Sequence, residues 1–283
     1  MTGRSRGHQD FASEVQQRPF REPLYIEFDG GQLVARTTDE RVRSFLVETF
    51  RRMVVPAISS QIASLDIIGE SSGYRIESSA STVIQGDDID YLLNRVREEV
   101  RFELMRARRD LLWLHAAAVE RDGSALILSG PSGQGKSTLS SMLCQGGWRL
   151  MSDDAAPVRV SRNEVVAYNQ SVVKRVPRDR AGASHIRKGL DRKLVAIPAE
   201  RFSRDTAPVG RLVFLAFSAG APAELRQLTR GETAMEILRN SVNRVDHEAG
   251  GMEAAGLMAR NVPGFALTYG DSAQAFLDLD TLP

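Results

Sequence analysis

The run Gly130-Pro131-Ser132-Gly133-Gln134-Gly135-Lys136-Ser137 constrains this chain more tightly than any other stretch. It fits the spacing G-x-x-x-x-G-K-[ST] at every specified position. A compact apolar run, Ala125 to Ser129, precedes it, and a helix-like run, Thr138 to Cys144, follows until Gly146-Gly147 stops it. Glycines at 130, 133 and 135 let a backbone curl closely around phosphate oxygens, while the loop amides and the following helix N-terminus supply positive potential. The pattern predicts a nucleotide cradle built from Gly130, Ser132, Gly133, Gln134, Gly135, Lys136, Ser137 and Thr138. Lys136 would neutralise the β and γ phosphates of ATP, Ser137 would hold Mg²⁺, and Thr138 would lend a hydroxyl near the α or β phosphate.

Seventeen residues beyond Lys136, Asp153-Asp154 closes the short apolar segment Trp148 to Met151. On a strand the two side chains would point to opposite sides, so one faces metal and γ-phosphate while the other orients it or caps the next turn. A solvated turn before Pro157 fits the same residues. His115 lies inside the apolar run Leu111 to Val119, where a satisfied core histidine and a site residue are equally consistent with the pattern.

The N-terminal third reads as a small α/β unit. Leu24 to Phe28 and Gln32 to Ala35 flank Asp29-Gly30-Gly31 as a hairpin would, and Val42, Phe45, Leu46, Phe50 and Met53 recur at helical spacing until Pro56. After a strand-like stretch from Ile67 to Ile84, Asp87-Asp88 opens a long helix with Ile89, Leu92, Val96, Val100 and Leu104 on its inner face. Its many Arg and Glu residues, Arg95, Glu99 and Glu103 among them, read as a solvated outer face. Arg121-Asp122-Gly123-Ser124 separates Leu112 to Val119 from Ala125 to Ser129 as a hairpin turn. Farther on, strands are expected at Val165 to Tyr168, Leu194 to Ile197, Leu212 to Phe217 and Phe265 to Tyr269, so strands dominate the second half. Thr229 and Glu232 form a capping box before a helix through Val242.

Composition excludes several classes. With 37 basic and 36 acidic residues the formal charge is +1, which argues against nucleic acid as a partner. The single Cys144 cannot form an internal disulfide or zinc cluster and reads as a small core residue; no apolar run approaches the ~18 residues of a membrane span. Met1 to Arg18 is polar and lacks the apolar core of a secretory signal, so a cytoplasmic protein is expected. The four lysines all fall between positions 136 and 193.

The run His115-Ala116-Ala117-Ala118-Val119, the loop Gly130 to Ser137, and Gly147-Trp148-Arg149-Leu150-Met151-Ser152-Asp153-Asp154 together resemble the catalytic core of bacterial HPr kinase/phosphorylase and its relatives. The resemblance is close there and loose over the rest of the C-terminal half. It implies an ATP-dependent serine kinase with an α/β, HPr-kinase-like P-loop fold in which mixed strands surround the phosphate loop. By the same resemblance Lys136 and Ser137 take the phosphate and metal roles, Asp154 is the base facing the acceptor hydroxyl, His115 joins the active-site wall and Asp153 supports the metal. The expected layout is a disordered tail over 1–20, a small α/β N-terminal region over 21–110 and the kinase domain over 111–283. The family's later glycine-rich segment with its metal-binding glutamate, and its arginine loop, have no counterpart here. The chain therefore looks more like the relatives found beside peptide-modification genes, including kinases of lasso-peptide precursors. The partner so implied is a protein or peptide bearing an acceptor serine, with no membrane involved and a homo-oligomer left open.

Lys174-Arg175, Arg178, Arg180, Arg187-Lys188 and Arg192-Lys193 form a basic cluster in a weakly apolar stretch. It is expected to be mobile without ligand and to close over the phosphates, with Lys174 the foremost contact. Two other functions share the loop: an NTPase switch, for which no Asn-Lys-x-Asp speaks in favour of GTP, and a non-catalytic nucleotide sensor.

Overall fold

The computed structural model describes residues 19–57, 63–70, 73–79, 83–177, 190–194, 197–203 and 205–282. The first sheet is built from β1 (Leu24–Phe28), β2 (Gly31–Thr37), β3 (Val54–Val55), β4 (Ala63–Glu70), β5 (Gly73–Ser78) and β6 (Val83–Gly86), in the order β3-β1-β2-β4-β5-β6. Only β2 and β4 run parallel. Asp29 and Gly30, both at positive φ, turn β1 back onto β2 as the Asp-Gly signal predicts.

Two helices cover this sheet. Asp39 caps α1 (Glu40–Phe50) by accepting from the Arg41 amide at 2.8 Å. The longer α2 (Ile89–Ala107) buries Leu92, Val96, Val100 and Leu104, each worth roughly 1.5–3 kcal/mol when fully removed from water. The core of this sheet is completed from beyond residue 110, because Leu111, Trp113, Ala155, Val166 and Tyr168 pack into it. Phe28, Trp113 and Tyr168 form a triangle of rings with centroids 5.2 to 5.4 Å apart.

The second sheet contains nine strands. They are β7 (Leu112–Leu114), β8 (Ala116–Arg121), β9 (Ser124–Ser129), β10 (Arg149–Ser152), β11 (Ala156–Arg159), β12 (Glu164–Val165), and, after the separate pair β13 (Val173–Pro177) and β14 (Leu190–Leu194), β15 (Ala207–Phe217), β16 (Glu224–Gln227) and β17 (Gly264–Tyr269). The main path is β10-β8-β9-β15-β12-β11-β7, with β17 beside β15 and β16 beside β17. β15 is parallel to both β9 and β17 while β8 is antiparallel to β9, so the architecture is mixed α/β. Helix α3 (Lys136–Gln145) packs on one face with α6 (Ser272–Asp280); α4 (Arg230–Asn240) and α5 (Met252–Asn261) pack against the other. The Thr229/Glu232 capping box opens α4 as predicted.

Several expectations need correction. The run Leu112 to Val119 is not one strand, since it breaks at His115. Val165 to Tyr168 contributes only its first residue to β12, and Tyr168 makes an isolated bridge to Ser152. The strand expected at Leu194 to Ile197 instead ends at Leu194, with 195–196 outside the described residues. Strands share the second half with two helices that the sequence pattern does not signal, α5 and α6. The described ends of the basic segment, read as loop, form the ladder β13–β14, in which Lys174 pairs with Lys193 and Arg175 with Arg192. Arg178, Arg180, Arg187 and Lys188 lie outside the described residues, as does the tail over 1–18.

Candidate functional site

Strand β9 is buried from Ala125 onward and delivers the chain into Gly130 at the edge of the sheet. Gly130, Gly133 and Gly135 all have positive φ, at 147°, 94° and 83°. Gly135 is the most constrained, because a Cβ there would sit 2.0 Å from the Tyr269 hydroxyl. It is also the N-cap of α3 and brings no side chain to bond the first-turn amides, unlike the aspartate caps of α1 and α6. Ser132 and Gly133 are exposed at the tip, Gln134, Ser137 and Thr138 half-buried. Tyr269 Oη donates to the Gln134 carbonyl at 2.9 Å, and the Phe217 amide donates to Gln134 Oε1. Two neighbouring strand ends thus hold the loop.

Lys136 is only 7% exposed, and its Nζ donates to the carbonyls of Gly130 at 2.6 Å and Pro131 at 3.1 Å. It also lies 3.0 Å from His115 Nε2. An ammonium has only donors, so Nε2 must accept and the histidine proton sits on Nδ1. That nitrogen faces the Asp154 carbonyl at 3.1 Å and Asp154 Oδ1 at 3.4 Å, both acceptors. Burial, then the Lys136 charge, holds the His115 pKa below its ordinary value of 6.5, which keeps this tautomer neutral at pH 7. His115 is positioned by backbone: its amide donates to Asn240 O at 2.7 Å, and its carbonyl accepts from Ser129 Oγ at 3.2 Å.

The acid pair follows β10. Asp153 is 2% exposed, and Asp154 adopts a left-handed φ of 70°. Both lie past the strand's end, so the strict alternation expected of them does not apply. Asp154 Oδ2 lies 2.9 Å from Arg101 and 3.6 Å from Arg97, and Glu98 pairs with both arginines. Burial alone would raise the Asp154 pKa, but Arg97, Arg101, His115 and Lys136 outweigh it and leave the carboxyl below its ordinary 3.8.

The structure therefore brings Lys136 and Asp154 each into contact with His115 and keeps the loop glycines around Lys136. Arg97 and Arg101 were missed: the α2 face read as solvated buries Arg97, Glu99 and Glu103. The available signal was angular, since positions 97 and 101 each follow a buried stripe residue, Val96 or Val100, by one. In sequence Phe217 and Tyr269 read only as strand residues. Cys144 is buried in the core beneath α3, and that burial pushes its thiol up to about 12. Among the described residues no group of three or more His, Cys, Asp or Glu is gathered to hold a metal, and no helix is long and apolar enough to cross a membrane.

Fold and site define a mixed α/β protein whose glycine-rich strand–loop–helix unit is flanked by a histidine and an acid pair. A family model described as SynChlorMet cassette protein ScmC matches residues 87–175, a stretch that runs from the residues before α2 into β13. Among solved structures, the Hpr(Ser) kinase/phosphatase from Coxiella burnetii is similar at 17% identity and a TM-score of 0.31, over 60% of this chain and 87% of that one. No curated protein matches the sequence.

Proposed function

We propose that this chain is an ATP-dependent phosphotransferase of the HPr-kinase-related type, which moves the γ-phosphoryl group to a serine hydroxyl of a protein or peptide. The observation that carries the reading is the 3.0 Å contact between Lys136 Nζ and His115 Nε2. It joins a glycine-rich cradle to a histidine and an acid pair in one site. A switch or a sensor needs only the cradle, whereas group transfer needs it beside groups that can receive an acceptor hydroxyl.

The residues present suit Mg²⁺-ATP. The loop comes close to neighbouring strands without side chains in the way, Lys136 brings a positive charge to its rim, and Ser137 offers a hydroxyl oxygen as a ligand. Magnesium held largely by phosphate and water needs only one or two protein groups. Bound there, Mg²⁺-ATP supplies the phosphoryl group and the metal's charge. Lys136 would exchange two neutral carbonyl partners for anionic phosphate oxygens, a stronger pairing. His115, neutral and fixed on Asp154, would keep the lysine aimed at the loop. As the acceptor oxygen bonds to phosphorus and the bond to ADP breaks, the hydroxyl proton passes to a carboxylate.

Of the two acids, Asp154 is held by two arginines that lower its proton affinity, which favours an anchoring role. We therefore propose proton acceptance for Asp153, in place of the metal-supporting role the family resemblance gave it and of the base role it gave Asp154. The same resemblance supports a kinase region over 111–283 and a peptide acceptor of the lasso-precursor kind, while the sequence pattern and composition support a preceding small α/β region over 21–110 and a cytoplasmic location.

The test is to incubate the protein with γ-labelled ATP, Mg²⁺ and serine-bearing peptides and follow the label. Label on peptide serine supports the proposal. Label released to water alone, or retained on ATP, overturns it in favour of an NTPase switch or a sensor respectively.

A further inference from the structure

β9, β15 and β17 are mutually parallel, so their carboxyl ends emerge at one edge of the sheet, the edge from which the glycine-rich loop departs. In open α/β sheets this edge is where ligands collect. Phe214 pairs with Ser129, the last residue of β9, and β15 continues for three more residues to Phe217. At ~3.3 Å per residue that carries Phe217 about 10 Å past the end of β9, level with the loop and still paired with Tyr269 of β17.

Phe217 is 44% exposed although it is a large apolar ring on a strand buried from Leu212 to Leu215. Its orientation is nonetheless fixed. Its amide bonds Gln134 within the loop, and its ring packs edge-on against Tyr269 with centroids 5.5 Å apart at 71°. Beyond it come Ser218, Ala219 and Gly220, all exposed, and a Cβ placed on Gly220 would meet nothing within 4 Å. A rigid aromatic face with open space beside it thus adjoins the phosphate cradle.

We propose that Phe217 is the stacking platform for the nucleobase of the nucleotide whose phosphates the loop holds. The proposal rests on the nucleotide reading above and adds the subsite that reads the base. A flat π-face suits a purine better than a ribose or a phosphate, and stacking on an aromatic ring tolerates any base. The bond from the Phe217 amide to Gln134 ties base and phosphate subsites to one rigid unit.

The experiment is calorimetric titration of the wild-type chain, Phe217→Ala and Phe217→Trp with Mg²⁺-ATP and, separately, with Mg²⁺-triphosphate, which has no base. Phe217→Ala should weaken ATP binding on the order of tenfold or more and leave triphosphate binding unchanged, while Phe217→Trp should retain ATP affinity. Equal losses for both ligands would mean that Phe217 only supports the loop, and no loss for either would mean that it touches neither; each result overturns the proposal while leaving the nucleotide reading intact. Wild-type protein that binds neither ligand would overturn both readings.

Discussion

Arg101 Nη1 lies 2.9 Å from Asp154 Oδ2 and so ties a helix of the first sheet's layer to the acid pair of the second sheet. Arg97, 5% exposed, approaches the same oxygen at 3.6 Å. With Asp154 at a left-handed φ of 70°, the carboxylate is held by its backbone from one side and by α2 from the other. Arg101→Ala removes the closest of the partners of a half-buried carboxylate, and urea denaturation should show a loss of about 1–3 kcal/mol. Turnover should fall as well, with Arg101→Lys recovering part of both. Unchanged stability and turnover in Arg101→Ala would mean the pair is incidental.

The two acids should separate in kinetics. Asp154→Asn keeps its shape but loses the charge that Arg97 and Arg101 face, so it should chiefly lower stability. Asp153→Asn should leave the fold in place and reduce turnover by the ~10²–10⁴-fold typical of a lost general base. Steady-state rates for both variants, normalised to the folded fraction, settle the assignment; a larger rate loss for Asp154→Asn would exchange the roles.

Acid should act in two windows. The His115 pKa is depressed from 6.5, so its contribution to stability is complete above pH 6.5 and is lost as pH falls through the lowered folded value. Protonation there puts a proton on Nε2, opposite the Lys136 ammonium, and breaks that contact. Asp154, depressed from 3.8, and Asp39, lowered to about 2 chiefly by its bond with Arg41, stabilise the fold above pH 3.8 and cease to as pH falls through their folded values. Nitrogen-15 imidazole spectra should show His115 protonated on Nδ1 at pH 7; an Nε2-H tautomer would contradict the network.

Gly135→Ala imposes two penalties. A non-glycine residue at φ 83° costs ~1–2 kcal/mol, and its Cβ collides with Tyr269 Oη at 2.0 Å. Adding Tyr269→Phe removes the oxygen and moves the nearest ring contact to 3.3 Å, so the double variant should be more stable than Gly135→Ala alone. Thermal melts of the two variants measure this; no recovery would show that the backbone angle sets the whole cost.

Much of this was legible in local pattern. The β9–loop–α3 unit, the inner face of α2 and the Thr229/Glu232 cap depend on residues adjacent in sequence or a helical turn apart, which periodicity captures. What escaped depends on contacts across long sequence intervals. Arg101 meets Asp154 from 53 positions away, and an arginine in a solvated face looks the same in sequence as one in a buried pair. Phe217 and Tyr269 meet because β15 and β17 are parallel, a pairing no local signal specifies. Helix α5 was obscured because its buried face is mostly alanine, Ala255 and Ala259 with Met258, and because it follows three positive-φ residues, Ala249 to Gly251.

The measurement that bears most directly on the central claim compares wild type and Lys136→Ala for transfer of label from γ-labelled ATP to a peptide serine, with folding of both checked by circular dichroism. In the proposed mechanism Lys136 is the charge that follows the phosphoryl group as it moves. The account predicts phosphoserine with the wild type and none with a folded Lys136→Ala protein. Equal labelling by the two, or labelling by neither with any serine-bearing peptide, would contradict it.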